Sequence, residues 1–325
     1  MPVDRSQFVT ATPLSNVAFD YFQGEDTFIA KDALTILPVP KGTTKVSQID
    51  ASKLRPVDDE KGTNSEPNII DEQLFERSIT LSEYKLGRDI NPRDVRDADL
   101  PSLLDETRAT KVVTQSLLLK LEIRAASLVL TSSNYATANT SALSSGSKWN
   151  EAGGSPESDL LTVNEALRNG CGRKANGLII EELTLGKLRL SPEWRTRTQY
   201  TNGGPIPIEL IKAYLEVDYL FVGKARYDDA IMGAARSMAK VWGGDDVCFF
   251  HHDPSVSLES QNPFKCFMVD QAFQTSVIEL PTKRGNAGPM RRVQVNTEYA
   301  VEKGMVESSS SSKFGSAYLL RDVLA

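Results

Sequence analysis

Asp97–Leu130 reads DADLPSLLDETRATKVVTQSLLLKLEIRAASLVL, and within it Val113, Leu117, Leu121, Ala125 and Leu128 recur every three or four residues, the spacing of one helix face. Pro101 sits where a first helical turn tolerates it, and Asp105 and Glu106 lie near the positive end of the helix dipole. At 1.5 Å per residue, about 28 residues make a rod roughly 40 Å long. That is long for a globular helix, and its apolar band is wide. The expectation is a helix buried lengthwise against a sheet.

Toward the N-terminus the texture changes. Residues 1–25 carry Phe19, Tyr21 and Phe22 with no sustained period and read as an extended arm. Asp26 is placed to cap a short helix over Thr27–Leu34, with Ile29 and Ala33 on one stripe and Phe28 beside it. Pro38 and Pro40 then force an extended path. From Lys41 to about Asn91 the chain is polar. Within it LFERSITLSEYKLGRDI (74–90) is β-leaning with polar side chains on both faces, a hairpin that is marginal by itself. Two readings stand for this region: a disordered insertion, or a protruding two-stranded loop stabilised by neighbouring subunits.

Beyond the long helix, a Ser/Thr/Asn/Gly-rich loop leads into α/β texture. Leu160–Gly170 reads as a helix stopped by Gly170. NGLIIEEL (176–183) reads as a buried strand, residues 184–200 as irregular and helical, PIELIKAYLEV (207–217) as an amphipathic helix, and DYLFVGKARYD (218–228) as a strand. Two β-leaning runs around Gly243–Asp246 give a hairpin signal. Strands follow over 265–280, 290–301 and 317–324, with the serine run Ser308–Ser312 expected as a mobile loop.

Composition bounds the function. The chain has 325 residues, 40% of them hydrophobic and 25% charged, enough for a sizeable core. A net charge of −6 argues against a surface built to grip phosphates along its length. No run reaches the apolar length of a membrane span, and MPVDRSQFVT lacks a signal-peptide pattern. Cys171, Cys248 and Cys266 are odd in number and far apart, so no disulfide framework is expected and the setting reads as a reducing cytoplasm.

Catalytic constellations are not legible. Cys248, His251, His252 and Cys266 hold the residue types of a zinc site, but strand alternation puts Cys248 and His252 on one face and His251 on the other. They read as ordinary strand residues. NGCGRK (169–174) lacks the spacing of a phosphate-binding loop, and neither G-x-S-x-G nor H-E-x-x-H occurs. PVDDEKG (56–62) lacks a calcium-loop pattern and reads as a solvated charge run. Arg88, Arg93, Arg96, Arg108 and Lys111 mingle with Asp89, Asp94, Asp97, Asp99 and Asp105, a balance suited to salt-bridged surfaces. No metal, cofactor or catalytic residue is expected.

Three stretches carry a family resemblance. DYFQGEDTFIAKDALTILPVPK (20–41) is similar to a lead-in of short helix and extended segment. KLGRDINPRDVRDADLPSLL with the helix after it, through TSSNY (85–135), looks like a long loop joining a spine helix. SSSKFGSAYLLRDVLA (310–325) is similar to a closing Ala/Gly-Tyr-Leu strand. In this order they resemble the major capsid proteins of tailed bacteriophages, of the HK97-type fold, across nearly the whole chain.

The resemblance implies an α+β fold with an N-terminal arm (1–40), an extended E-loop (41–92), a peripheral P domain (93–159 and 269–325) carrying the spine helix, and an axial A domain (160–268). It implies a structural protein, not an enzyme, that assembles with copies of itself into hexamers and pentamers of a shell enclosing double-stranded DNA without sequence-specific contacts. Separate scaffolding and portal proteins, and in some relatives decoration proteins, would be partners, and no membrane would be. With only about 25 residues before the first helix, any scaffold is expected on another chain or as a short tail. Localisation would be the virion, assembled in the bacterial host cytoplasm. Inter-subunit contacts are expected at Phe28, Lys53, Arg55, Arg77, Arg88, Arg93, Arg96 and Asp97. Covalent Lys–Asn welding, for which Lys53 and Lys61 lie in the right region, has no identifiable partner. Two rivals are an encapsulin-like compartment shell and a soluble α/β enzyme with its site in 160–268.

Overall fold

The computed structural model describes residues 9–10, 27–49, 56, 59–60, 66, 69, 74–91, 106–198, 206–231, 235, 237–257, 260, 262–269, 273–280, 290–304, 306–308 and 311–325. In chain order the elements are β1 (Val9–Thr10), α1 (Ala30–Ala33), β2 (Thr35–Val39), β3 (Thr43–Ile49), β4 (Leu74–Thr80), β5 (Ser82–Ile90) and α2 (Glu106–Leu130). There follow β6 (Thr140–Ala142), α3 (Pro156–Cys171), β7 (Gly177–Glu181), α4 (Glu182–Leu188), α5 (Pro192–Thr198), α6 (Ile208–Tyr214), β8 (Tyr219–Gly223), β9 (Arg226–Asp228) and β10 (Met238–Lys240). The chain closes with β11 (Val247–Phe250), β12 (Phe264–Val269), β13 (Gln274–Leu280), β14 (Met290–Lys303), β15 (Val306–Ser308), β16 (Ser311–Phe314) and β17 (Ala317–Arg321).

The long helix lies across a sheet, as its periodicity predicts. α2 packs on β14 and β5, and its buried residues pair up along one face: Ala109–Thr110, Val113–Thr114, Leu117–Leu118, Leu121–Glu122, Ala125–Ala126 and Val129. The sheet is built around β14. Its 290–296 half pairs with β13 and its 299–303 end with β12, while β5 runs antiparallel along 291–299. Val293 pairs with both Val277 and Arg88, so β13 and β5 occupy opposite edges. β2 adds in parallel beside β12 as an outer strand. That position explains how Pro38 sits within a strand, since an edge spares the missing N–H.

A second sheet, in the order β6-β17-β11-β7-β8, is covered on both sides. Cys248, Phe250, Ile179 and Leu319 face the core that holds α1, α2 and part of the first sheet. Their neighbours Val247, Phe249, Leu178, Ile180 and Leu320 face a separate core under α3–α6 with Trp149 and Trp194. Burial on both faces is why VCFF and GLII read as unbroken apolar runs. Among the described residues no helix is long and apolar enough to cross a membrane.

Several local expectations give way to tertiary pairing. The 74–90 stretch is not a hairpin: β4 pairs with β3, and β5 pairs with β14. The 237–253 stretch is not one either, because β10 pairs with β9 while β11 is claimed by β7 and β17. Helix α3 runs past Gly170 and stops at Gly172, whose φ of 75° supplies the left-handed cap. Ser308 and Ser311 face each other in a β15–β16 ribbon where a mobile loop was expected. The closing strand β17 lies in the second sheet, with β11, although the resemblance groups it with the peripheral strands. The helix expected over Thr27–Leu34 shortens to α1, and Asp26, its expected cap, lies outside the described residues.

Candidate assembly surfaces

Strands β3 and β4 form a two-stranded ribbon apart from both larger sheets. Its base is fixed: Val46, Ile79 and Leu81 are buried with Leu37, Val39 and Phe267. Arg77 donates to the Lys303 carbonyl at 2.7 Å and approaches Glu302 at 3.3 Å. Leu81 N–H closes onto the Gly42 carbonyl at 2.7 Å. Beyond that base the ribbon is two-stranded, and among the described residues neither strand pairs with a third.

The second unit presents apolar side chains to solvent. Leu183 and Leu190 are 52% and 54% exposed and Ile208 38%, and Arg189 donates to the Ile206 carbonyl at 2.8 Å. Leu161 on α3 is also largely exposed. These groups border the second core without belonging to it.

The expected contact residues separate into three groups. Phe28, at 7% exposure, is buried in one core cluster with Val113 and Leu117, where α1 docks on α2. Arg77 is spent on the ribbon base, and Arg88 is half-buried on β5 opposite Val293. Lys53, Arg55, Arg93, Arg96 and Asp97 lie outside the described residues. Part of the mixed Arg/Asp stretch closes on its own subunit. Both Asp89 oxygens accept from Arg292, one at 2.8 Å, and Glu106 accepts from Arg291 at 2.9 Å.

Sequence reasoning missed two residues of α2. Glu122 is fully buried and its carboxylate accepts from Ile29 N–H at 3.0 Å, Ala30 N–H at 2.8 Å and the Trp242 indole N–H. It therefore caps α1 from across the core, and one side chain ties the arm, the long helix and the second unit. Burial raises its pKa, and the three donors pull the other way. Arg124 lies 3.8 Å from the Tyr84 ring centroid and donates to the Tyr299 hydroxyl at 2.6 Å. The signal was present: Lys120, Glu122 and Arg124 interrupt an apolar run, and those of them that are buried need partners.

The histidines and cysteines do not converge. His252 sits in an aromatic box, 4.5 Å from Tyr219 and 5.9 Å from Phe250 between ring centroids, while His251 Nδ1 contacts the Lys174 carbonyl. Cys248 bonds the Tyr135 hydroxyl at 3.3 Å, and burial pushes its thiol up to about 12. Among the described residues no three His, Cys, Asp or Glu side chains gather as metal ligands.

No protein-family model matches the chain. The major capsid protein of Burkholderia phage BcepMu is 27% identical over 235 residues, 72% of this chain and 74% of that one. The crystal structure of a phage-related protein from Bordetella bronchiseptica RB50 superposes with a TM-score of 0.72 at 22% identity, over 97% of this chain and 98% of that one. A structure from Mycobacterium phage Cain does so with a TM-score of 0.53 at 11% identity, over 92% of each chain. A long helix laid on a sheet, a two-stranded ribbon and a second sheet buried on both faces give the chain the HK97-type capsid fold, and over most of its sequence it is similar to phage major capsid proteins.

Proposed function

We propose that copies of this chain form the hexamers and pentamers of a closed shell around double-stranded DNA, assembled in the host cytoplasm with scaffolding and portal proteins supplied by other chains. The chain is a structural protein, not an enzyme. In this reading α2 and the first sheet form the peripheral unit. The second sheet, with α3–α6 and β17, forms the axial unit that meets its copies around the symmetry axes through Leu183, Leu190 and Ile208. The β3–β4 ribbon lies over a neighbour.

The observation that carries the reading is the ribbon. Two strands without a third are marginal in water, and among the described residues this pair has no third strand, with Val46 and Ile79 buried against β2 and β12. A neighbouring copy supplies the missing surface. Heterologous contacts of this kind close into rings when the rotation closes. Many weak contacts per subunit then sum, through multivalency, to a stable particle. A net charge of −6 suits a container whose lining does not hold its DNA.

The test is a trimmed ribbon. Replacing residues 48–75 by Asn-Gly keeps Val46, Ile79 and Leu81 in place and joins Ser47 to Glu76, which already face each other. The trimmed chain is expected to melt as the full chain does in its dilute, unassembled form, and to elute as a monomer at concentrations where the full chain forms large particles. Particles of normal size from the trimmed chain would sink the reading.

A further inference from the structure

The long helix carries one charge that its own subunit orients and then leaves open. Arg124 on α2 lies 3.8 Å from the Tyr84 ring centroid and donates from Nη1 to the Tyr299 hydroxyl at 2.6 Å. Stacking and one hydrogen bond therefore fix the plane of the guanidinium. Among the described residues its Nε and Nη2 donate to nothing, and Arg124 makes no ion pair. The side chain lines a groove between α2 and the start of β5. Ser82 lines it too, two residues before Tyr84 and so on the same face of β5. Ser127, one turn beyond Arg124 on α2, lines it from the helix. Among the described residues neither serine hydroxyl has a hydrogen-bond partner. Glu302 also borders the groove, where its carboxylate is paired with Arg77 at 3.3 Å. Lys120, exposed one turn before Arg124, adds a second positive charge on that side of the helix.

The donor set selects the ligand. A guanidinium fork alone satisfies a planar carboxylate. Here two hydroxyls share the groove with the two free guanidinium nitrogens, and four donors suit an oxyanion with more oxygens to satisfy. We propose that this groove is a phosphate site, in which Nε and Nη2 of Arg124 bind two oxygens of a phosphate group and Ser82 and Ser127 donate to the others. Inorganic phosphate and the phosphodiester backbone of DNA both carry that chemistry. The site lies within one subunit, so it stands or falls independently of the shell reading above.

Calorimetric titration of the full-length chain with inorganic phosphate, in dilute solution at low ionic strength, tests the proposal. Arg124→Gln is expected to weaken phosphate binding about tenfold or more, as loss of a charge-assisted pair of hydrogen bonds does. Arg124→Lys, which keeps the charge and loses the fork, is expected to weaken it as well. Arg108→Gln, at an exposed position near the start of the same helix, is expected to change nothing. Should Arg124→Gln fail to fold, Ser127→Asp answers the same question, because Ser127 is exposed and the new carboxylate would occupy the fork and shut phosphate out. Phosphate that binds wild type and Ser127→Asp alike, or fails to bind wild type, would overturn the site, and acetate that binds as tightly as phosphate would overturn the choice of ligand. A second titration with a duplex of about 20 base pairs separates the sources. Duplex binding that falls in Ser127→Asp along with phosphate binding would assign the site to the DNA backbone, and duplex binding unchanged in Ser127→Asp would assign it to the free anion.

Discussion

Glu122 concentrates the account at the residue scale. A buried carboxylate with three donors is stable while all three are present, and removing the acceptor strands two backbone N–H groups and an indole. Glu122→Ala is expected to cost about 3–5 kcal/mol and Glu122→Gln about 1–3, read as a loss of denaturation midpoint. Burial raises the Glu122 pKa, so the folded chain holds this proton at a pH where the unfolded chain has released it. Stability from this site therefore falls as pH rises from the ordinary carboxylate value through the raised one. The deficit of Glu122→Gln relative to wild type is expected to be largest on the acid side of that window and to shrink above it, as denaturant melts at a series of pH values would show. A deficit independent of pH would contradict the burial. Gly223 faces the same cluster: a Cβ there would lie 2.5 Å from Trp242 Cγ. Gly223→Ala is expected to destabilise by about 1–3 kcal/mol through overpacking. An unchanged melting temperature would contradict that fit.

At the scale of elements, local period was enough where packing agrees with it. The Val113–Leu117–Leu121–Ala125 spacing is the buried face of α2, and Leu121→Ala is expected to cost about 2–5 kcal/mol in equilibrium unfolding, against within about 0.5 for the exposed Lys111→Ala. Equal effects would mean that the helix does not lie on the sheet. Pairing was not legible. LFERSIT and SEYKLGRDI are contiguous and both β-leaning, but turning back at Leu81 would forfeit two longer-range ladders, one to β3 and one to β14. β11 likewise spends both edges on β7 and β17 and has none left for β10. Those choices depend on partners 25 to 217 residues away, which no local signal reports. The helix start at α1 was misread for the same reason, because its cap comes from residue 122.

At the scale of the whole molecule, segment order made the fold class legible: arm, polar loop, long helix, α/β stretch and closing strands. The contact residues were less so. Phe28 was taken for a contact because an aromatic beside an arm looks exposed until α2 covers it, and Arg77 because a ribbon arginine looks free until Lys303 and Glu302 engage it. The partners of both are distant in sequence. In the proposed shell, copies of the chain cover the two-stranded ribbon and the exposed Leu183 and Leu190. Electron microscopy of the purified full-length chain, raised in concentration, tests that most directly. Closed or capsomer-like particles with five- and six-fold rings of subunits are expected, and a chain that stays monodisperse and monomeric at every concentration, with or without scaffold, would contradict assembly.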